Sequence, residues 1–263
     1  MADREAGRLV REGVLIVASI LLAFAIDAGW DAWQDRADER EVLRALLGDF
    51  ETNRAQAAEA IAVHEAGHRV MAAAVGRSRA EVRALPEDSV GAVFVAMANP
   101  RTFDPVRGTL DALLASGRFE LLRDDELRRS LTTFDNIFDD SAEDMAYLAS
   151  SSEKVWDRMI VHGGPWRAIS PLVSKGCEEG AVTPTCGIEF SEWAHFPAPT
   201  PRALQEMLDD RTSMGFVRQY LVNSSHYTGE MRRQLRQIDA ILALLHANLG
   251  TTYAPGSGEA PNG

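Results

Sequence analysis

Three observations predict an all-α fold in which an N-terminal membrane helix runs on into an antiparallel helical bundle with one irregular loop region. The run Gly13–Ile26 is uncharged and strongly apolar. Two long segments, one before residue 76 and one after residue 201, carry apolar residues at three- and four-residue steps, the period of a helix face. Aromatic residues make up only 7% of the 263, which suits helices better than an all-β sandwich. The 46% hydrophobic fraction is enough for a buried core, and the length fits one large or two small domains. With 39 acidic against 27 basic side chains and a net charge of −12, the chain repels polyphosphate, so no nucleic-acid partner is expected.

The first element is the anchor. The fourteen residues Gly13–Ile26 rise only about 21 Å as helix, short of a hydrocarbon core of roughly 30 Å. A span over residues 9–33 has the required length if Arg11 and Glu12 snorkel to one side and Asp27 and Asp31 lie near the other headgroups. Trp30 and Trp33 then fall at the membrane interface, where aromatic residues collect. Two rivals compete with this reading. One is a buried core helix; the other is a cleaved signal peptide ending near Ala23-Phe-Ala25. Against cleavage, Asp3, Glu5 and Glu12 offset the arginines ahead of the run, and the helical pattern continues past the site.

Orientation turns on cysteine. Arginines flank the run evenly, Arg4, Arg8 and Arg11 before it and Arg36, Arg40 and Arg44 after it. Cys177 and Cys186, the only two cysteines, lie in a Gly- and Pro-rich loop and read as a disulfide pair in an oxidising compartment, with unpaired thiols as the alternative. The expectation is a single-pass protein of the bacterial inner membrane with residues 1–8 as a cytoplasmic stub and the bulk of the chain periplasmic.

From Ala32 to Val75 the anchor continues as one long helix. Leu43, Leu46, Leu47, Phe50, Ala57, Ile61, His64, His68, Met71 and Val75 form its seam, and Gly76 is the stop. Leu85–Ser89 reads as a turn before a short helix over Val90–Ala98, which Asn99-Pro100 breaks. Asp104-Pro105 supplies an N-cap with Pro at the first helical position, predicting a helix over Val106–Ser116 with Gly117 at its end. Phe119–Leu122 is too short to assign. Asp124 caps a helix through Phe138, and a further helix follows over Ser141–Val161. Residues 163–200 form the irregular loop, where Trp166, Trp193 and Phe196 either pin the loop or offer a partner surface. Arg202–Leu249 returns to helix with a seam of Val217, Leu221, Ser224, Thr228, Met231, Leu235, Ile238, Leu242, Leu245 and Leu249. The two long seams match in length and period and pack antiparallel, closing a bundle domain over 34–249. Residues 250–263 read as a disordered tail.

One motif carries chemistry. His64-Glu65-Ala66-Gly67-His68 matches H-E-x-x-H, which on a helix places two imidazoles one turn apart, able to share a zinc ion, with the glutamate as general base. The wording is similar to that of membrane-bound zinc proteases. Several features weigh against it. Met71 and Ala74 occupy the positions of the metzincin Gly and third His, and Glu87 and Asp88 lie in a turn without a surrounding pattern. No strand is predicted upstream, and both histidines fall in the apolar seam, where packed, hydrogen-bonded rings are the simpler reading. Asp139-Asp140 and Glu143-Asp144 could hold a cation but read first as a solvated face. His162, His195, His226 and His246 show no catalytic spacing.

The order of features also resembles a known family. Val14–Phe24, Ile26-Asp-Ala-Gly-Trp30, Thr102-Phe-Asp-Pro105, Leu110–Gly117 and Leu121–Arg128 resemble the bacterial single-pass membrane proteins of domain of unknown function 6090, over roughly residues 10 to 160. The resemblance implies an anchored, mostly helical domain and brings no catalytic residue or cofactor. His64 and His68 depart from it, since the long first helix of that family is not marked by H-E-x-x-H.

The preferred functional reading is a membrane-anchored, non-enzymatic interaction or scaffold module. Its partners are the lipid bilayer and either a second protein or itself, and it has no cofactor. The alternatives are a zinc metalloprotease (metal on His64 and His68, base Glu65) and a small-ligand sensor with a pocket between helices.

Overall fold

The computed structural model describes the backbone of residues 2–98, 101–162 and 199–253, and side chains from Val17 onward, except Ala18 and Ala98. Those residues form seven helices and no strand, as the all-α reading expected: α1 (Ala2–Val75), α2 (Arg79–Arg83), α3 (Glu87–Ala98), α4 (Gly108–Ala115), α5 (Asp125–Val161), α6 (Pro201–Asp209) and α7 (Arg211–Leu249). A single 3-10 turn, Arg118–Leu121, fills the stretch too short to assign from sequence. Among the residues described with their side chains, which begin at Val17, no helix is long and apolar enough to cross a membrane. The chain divides into two compact units, each drawing on several of these helices.

One unit comprises residues 1–51, 106–131 and 240–263. Leu43, Leu46 and Phe50 of α1, Leu110 and Leu113 of α4, Leu127 and Leu131 of α5, and Leu242 and Leu245 of α7 are among its buried residues. Charged groups fix the connections around this core. Glu39 Oε1 accepts the Arg123 N–H at 2.8 Å, Asp38 pairs with Arg118 at 3.0 Å, and Asp124 accepts from Asn248 Nδ2 at 2.7 Å.

Capping chemistry explains where the helices here begin and end. Asp124 accepts the backbone N–H groups of Glu126 and Leu127 at 2.8 and 3.2 Å, as its position predicts. Gly117, at φ +68°, takes the left-handed conformation that ends α4. The start of α4 differs from expectation. Asp104 does not cap it: its carboxylate takes the Thr102 hydroxyl at 3.2 Å, and the helix opens at Gly108 behind Arg107, which makes no side-chain cap. Asp49 of α1 instead accepts the Thr109 N–H at 3.3 Å, a cap supplied across the fold. The expected disordered tail is ordered at its start. Gly250, at φ +70°, donates to the Ala247 carbonyl and Thr251 to that of His246, a Schellman closure, and the Tyr253 ring stacks on His246. Residues 254–263 lie outside the described residues.

The other unit comprises residues 52–105 and 132–239. Within it α1 and α7 run antiparallel, since Arg54 pairs with Asp239 at 2.7 Å while His64 meets Ser224 at 3.0 Å. The α5 helix is likewise antiparallel to α7: Ser141 receives Gln234 Nε2 at 2.8 Å, and Arg158 reaches Asp210 at 2.8 Å. Phe94 and Met97 of α3, Phe134, Leu148 and Met159 of α5, and Leu204 and Met207 of α6 fill the core.

Three boundaries differ from the sequence reading. The α2 helix was not expected, although Ser78 and Glu81 form a complete capping box at its start. The break expected near Ser141 is absent: α5 runs through it, and the Ser141 hydroxyl bonds back to the Phe138 carbonyl at 2.7 Å. The helix expected over Arg202–Leu249 is two helices. Asp210 ends α6 in an extended conformation and accepts the Ser213 N–H at 2.9 Å, opening α7. Those bonds, chiefly from Ser213, pull the Asp210 carboxyl down to about 2. The irregular loop lies outside the described residues up to 198, and with it Cys177 and Cys186.

Candidate functional site

The H-E-x-x-H motif lies on the α1 face turned toward α7 within this second unit. Seam periodicity puts His64 and His68 on that face, but only His64 is buried, at 4% exposure. Its two ring nitrogens are both engaged. Nε2 lies 2.6 Å from the Arg101 carbonyl, which can only accept, so Nε2 carries the proton. Nδ1 then accepts from the Ser224 hydroxyl at 3.0 Å, and the Tyr227 ring packs edge-on with centroids 5.6 Å apart. Burial lowers the His64 pKa below its ordinary value, outweighing the bond to Arg101, so the ring is neutral at pH 7.

These bonds pin the extended segment after α3. Tyr227 Oη accepts the Phe103 N–H at 3.1 Å, Phe103 itself is buried, and the Arg101 guanidinium pairs with Glu59 at 3.0 Å. Three side chains on α1 and α7, Glu59, His64 and Tyr227, thus bond residues 101–103, and Ser224 holds the His64 ring from its other side.

Among the described residues the zinc arrangement is not assembled. Glu65, the expected general base, is paired with Arg232 and lies 3.9 Å from Arg69. Glu87 and Asp88 sit in the first turn of α3. Among the described residues the one group of three metal-capable side chains within reach of each other includes neither His64 nor His68. The intervening Gly67 lies against Ala96 of α3, where an added Cβ would make ordinary contacts at 3.7 Å.

His68 has a different setting. It is half-buried and borders three adjoining clefts. The first, about 280 Å³, is walled by Met71, Ala92, Val95, Tyr220 and Leu221 and is almost wholly apolar. The second, about 300 Å³, carries Glu65, Arg69 and Arg232. The third, about 590 Å³, opens between His68 and the α7 residues Leu221, Ser225, His226 and Glu230.

Two residues lining that third groove belong to a grouping that sequence reasoning missed, although it had named Glu143-Asp144 as able to hold a cation. His226 and Glu230, one turn apart on α7, converge with Asp144 of α5, and one ligand atom from each lies within 4.8 Å of the others. The His-x-x-x-Glu spacing was visible in the sequence; Asp144 becomes its neighbour only through the antiparallel packing of α5 on α7. Trp30 and Trp33, the expected interface residues, are exposed at 62% and 60%, and their rings lie 5.3 Å apart.

Comparison of the chain with protein-family models, with curated proteins and with solved structures finds no match. Residue roles therefore rest on the geometry alone.

Proposed function

We propose that this protein is a helical module held at a membrane by the N-terminal part of α1, with a non-enzymatic role as an interaction or scaffold element. One observation carries the reading. Val17, Ile20, Leu21, Leu22, Phe24 and Ile26 are all between 50% and 66% exposed. Successive helical residues step about 100° around the axis, so Ile20, Leu21 and Leu22 face three directions. Large side chains apolar around the whole circumference suit lipid, which can cover every face at once. Each fully buried side chain of this size gains about 1.5–3 kcal/mol.

The unbroken helix from Ala2 to Val75 supports a span over residues 9–33 continuing into the folded units, with Trp30 and Trp33 at the interface. The direction of insertion, with the bulk of the chain periplasmic, rests on Cys177 and Cys186, outside the described residues. A non-enzymatic role is favoured because both His64 ring nitrogens and Glu65 are committed to internal partners.

The test is fractionation of the full chain expressed in bacteria. The wild type is expected in the membrane fraction after alkaline carbonate wash, and Leu21→Arg combined with Phe24→Arg is expected to release it. Recovery of the folded wild type in the wash would overturn the anchor. Maleimide labelling of intact cells before and after reduction reads the side on which Cys177 and Cys186 lie.

A further inference from the structure

Asp144, His226 and Glu230 are grouped where α5 meets α7, with His226 paired to Asp144. All three lie at the rim of the α5–α7 contact, and none belongs to the buried core. We propose that these residues form a binding site for a first-row divalent transition metal ion, zinc or a close relative.

Three features carry the assignment. The first is the donor set. One imidazole and two carboxylates are three ligands of types that zinc accepts, and three protein ligands leave a fourth position open. Imidazole also selects zinc, cobalt, nickel or copper over magnesium and calcium, which take all-oxygen shells.

The second is spacing. Asp144 Oδ1 lies 3.3 Å from His226 Nε2. Two donors each about 2.0–2.1 Å from a tetrahedral zinc lie roughly 3.3 Å apart.

The third is preorganisation. His226 and Glu230 project from one helix face at i and i+4, and Asp144 is set on a second helix whose register Ser141–Gln234 and Tyr147–Asn223 lock on either side. Glu230 is also paired with Arg233, which engages its Oε1 and leaves the second carboxylate oxygen for a metal.

The open position would face the groove that His68, Leu221 and Ser225 line. His68 is outside ligand reach of the three, so the site does not depend on the H-E-x-x-H segment.

Isothermal titration of the full chain in detergent with zinc chloride, and separately with magnesium chloride, tests the proposal. One equivalent of zinc and no magnesium is expected at this site. His226→Ala and Asp144→Asn are each expected to weaken that equivalent by roughly a hundredfold or more, since even groups that merely orient a ligand cost about 10–100-fold. His68→Ala is expected to leave it unchanged. Circular dichroism without metal checks each variant, and Glu230→Gln replaces any that loses helix. Zinc binding that survives loss of His226 and Asp144, or no zinc binding at all, overturns the site.

Discussion

Two stretches of α1 reverse the usual relation between polarity and burial. Between Val17 and Ile26 large apolar side chains stand exposed, whereas further along the same helix Asn53 and His64 are buried beside Ala57 and Ile61. The difference lies in periodicity and in partners. The first stretch is apolar on every side, so no single packing face could cover it. The second has one apolar stripe that packs within a compact unit, and its polar members are tolerated because partners satisfy them, as Ser224 and the Arg101 carbonyl satisfy His64.

The comparison breaks most readily at the large side chains. Phe50 is 1% exposed and Phe24 66%. Phe50→Ala should cost about 3–5 kcal/mol of unfolding free energy. Phe24→Ala should change it by no more than about 0.5 kcal/mol. Guanidinium titration of the full chain in detergent measures both, and equal effects would show that the first stretch is packed.

Next in size is the buried polar side. His64→Ala strands the Arg101 carbonyl and the Ser224 hydroxyl, and should cost about 2–3 kcal/mol through unpaired groups and lost packing. Tyr227→Phe removes the Oη that accepts the Phe103 N–H and should cost about 1 kcal/mol. If His64→Ala proves as mild as an exposed substitution, the latch on residues 101–103 is not holding the fold.

Acidity sharpens the same point. The folded state lowers the His64 pKa from 6.5, so between that value and the lowered one the unfolded chain binds more protons. The His64 contribution is complete above pH 6.5 and declines as pH falls toward the folded pKa. Urea midpoints between pH 7.5 and 5 should therefore fall further for wild type than for His64→Gln. Parallel curves would mean that the ring is not buried neutral.

The smallest effect concerns the motif itself. Gly67 has room for a Cβ and sits within a helix, so Gly67→Ala should stabilise by up to about 1 kcal/mol. Destabilisation on thermal melting would show that the α1–α3 approach at Ala96 needs glycine.

Several elements were legible because their signals are local. Asp124 caps α5, Gly117 and Gly76 follow helix ends, and the 3- and 4-residue seams located α1 and α7. The seams were read less completely than the helices. Ala60 and Ala74 of α1, and Tyr220, Tyr227, Gln234 and Ile241 of α7, are also buried, because each helix is covered over a wider arc than one stripe. The Asp104-Pro105 start failed for a non-local reason: Asp49, far away in sequence, satisfies the Thr109 N–H instead.

By itself the sequence determined helix content, the uniform apolarity of the run before residue 27 and the candidate status of His64 and His68, all consequences of residue type at short spacing. Tertiary structure alone decided what those histidines do. His64 is occupied on both nitrogens by residues 37 and 160 positions away, and His226 meets Asp144 only because α5 lies antiparallel to α7. Short spacing sets which residues share a helix face, while the chemistry of a side chain is set by what the fold brings against that face.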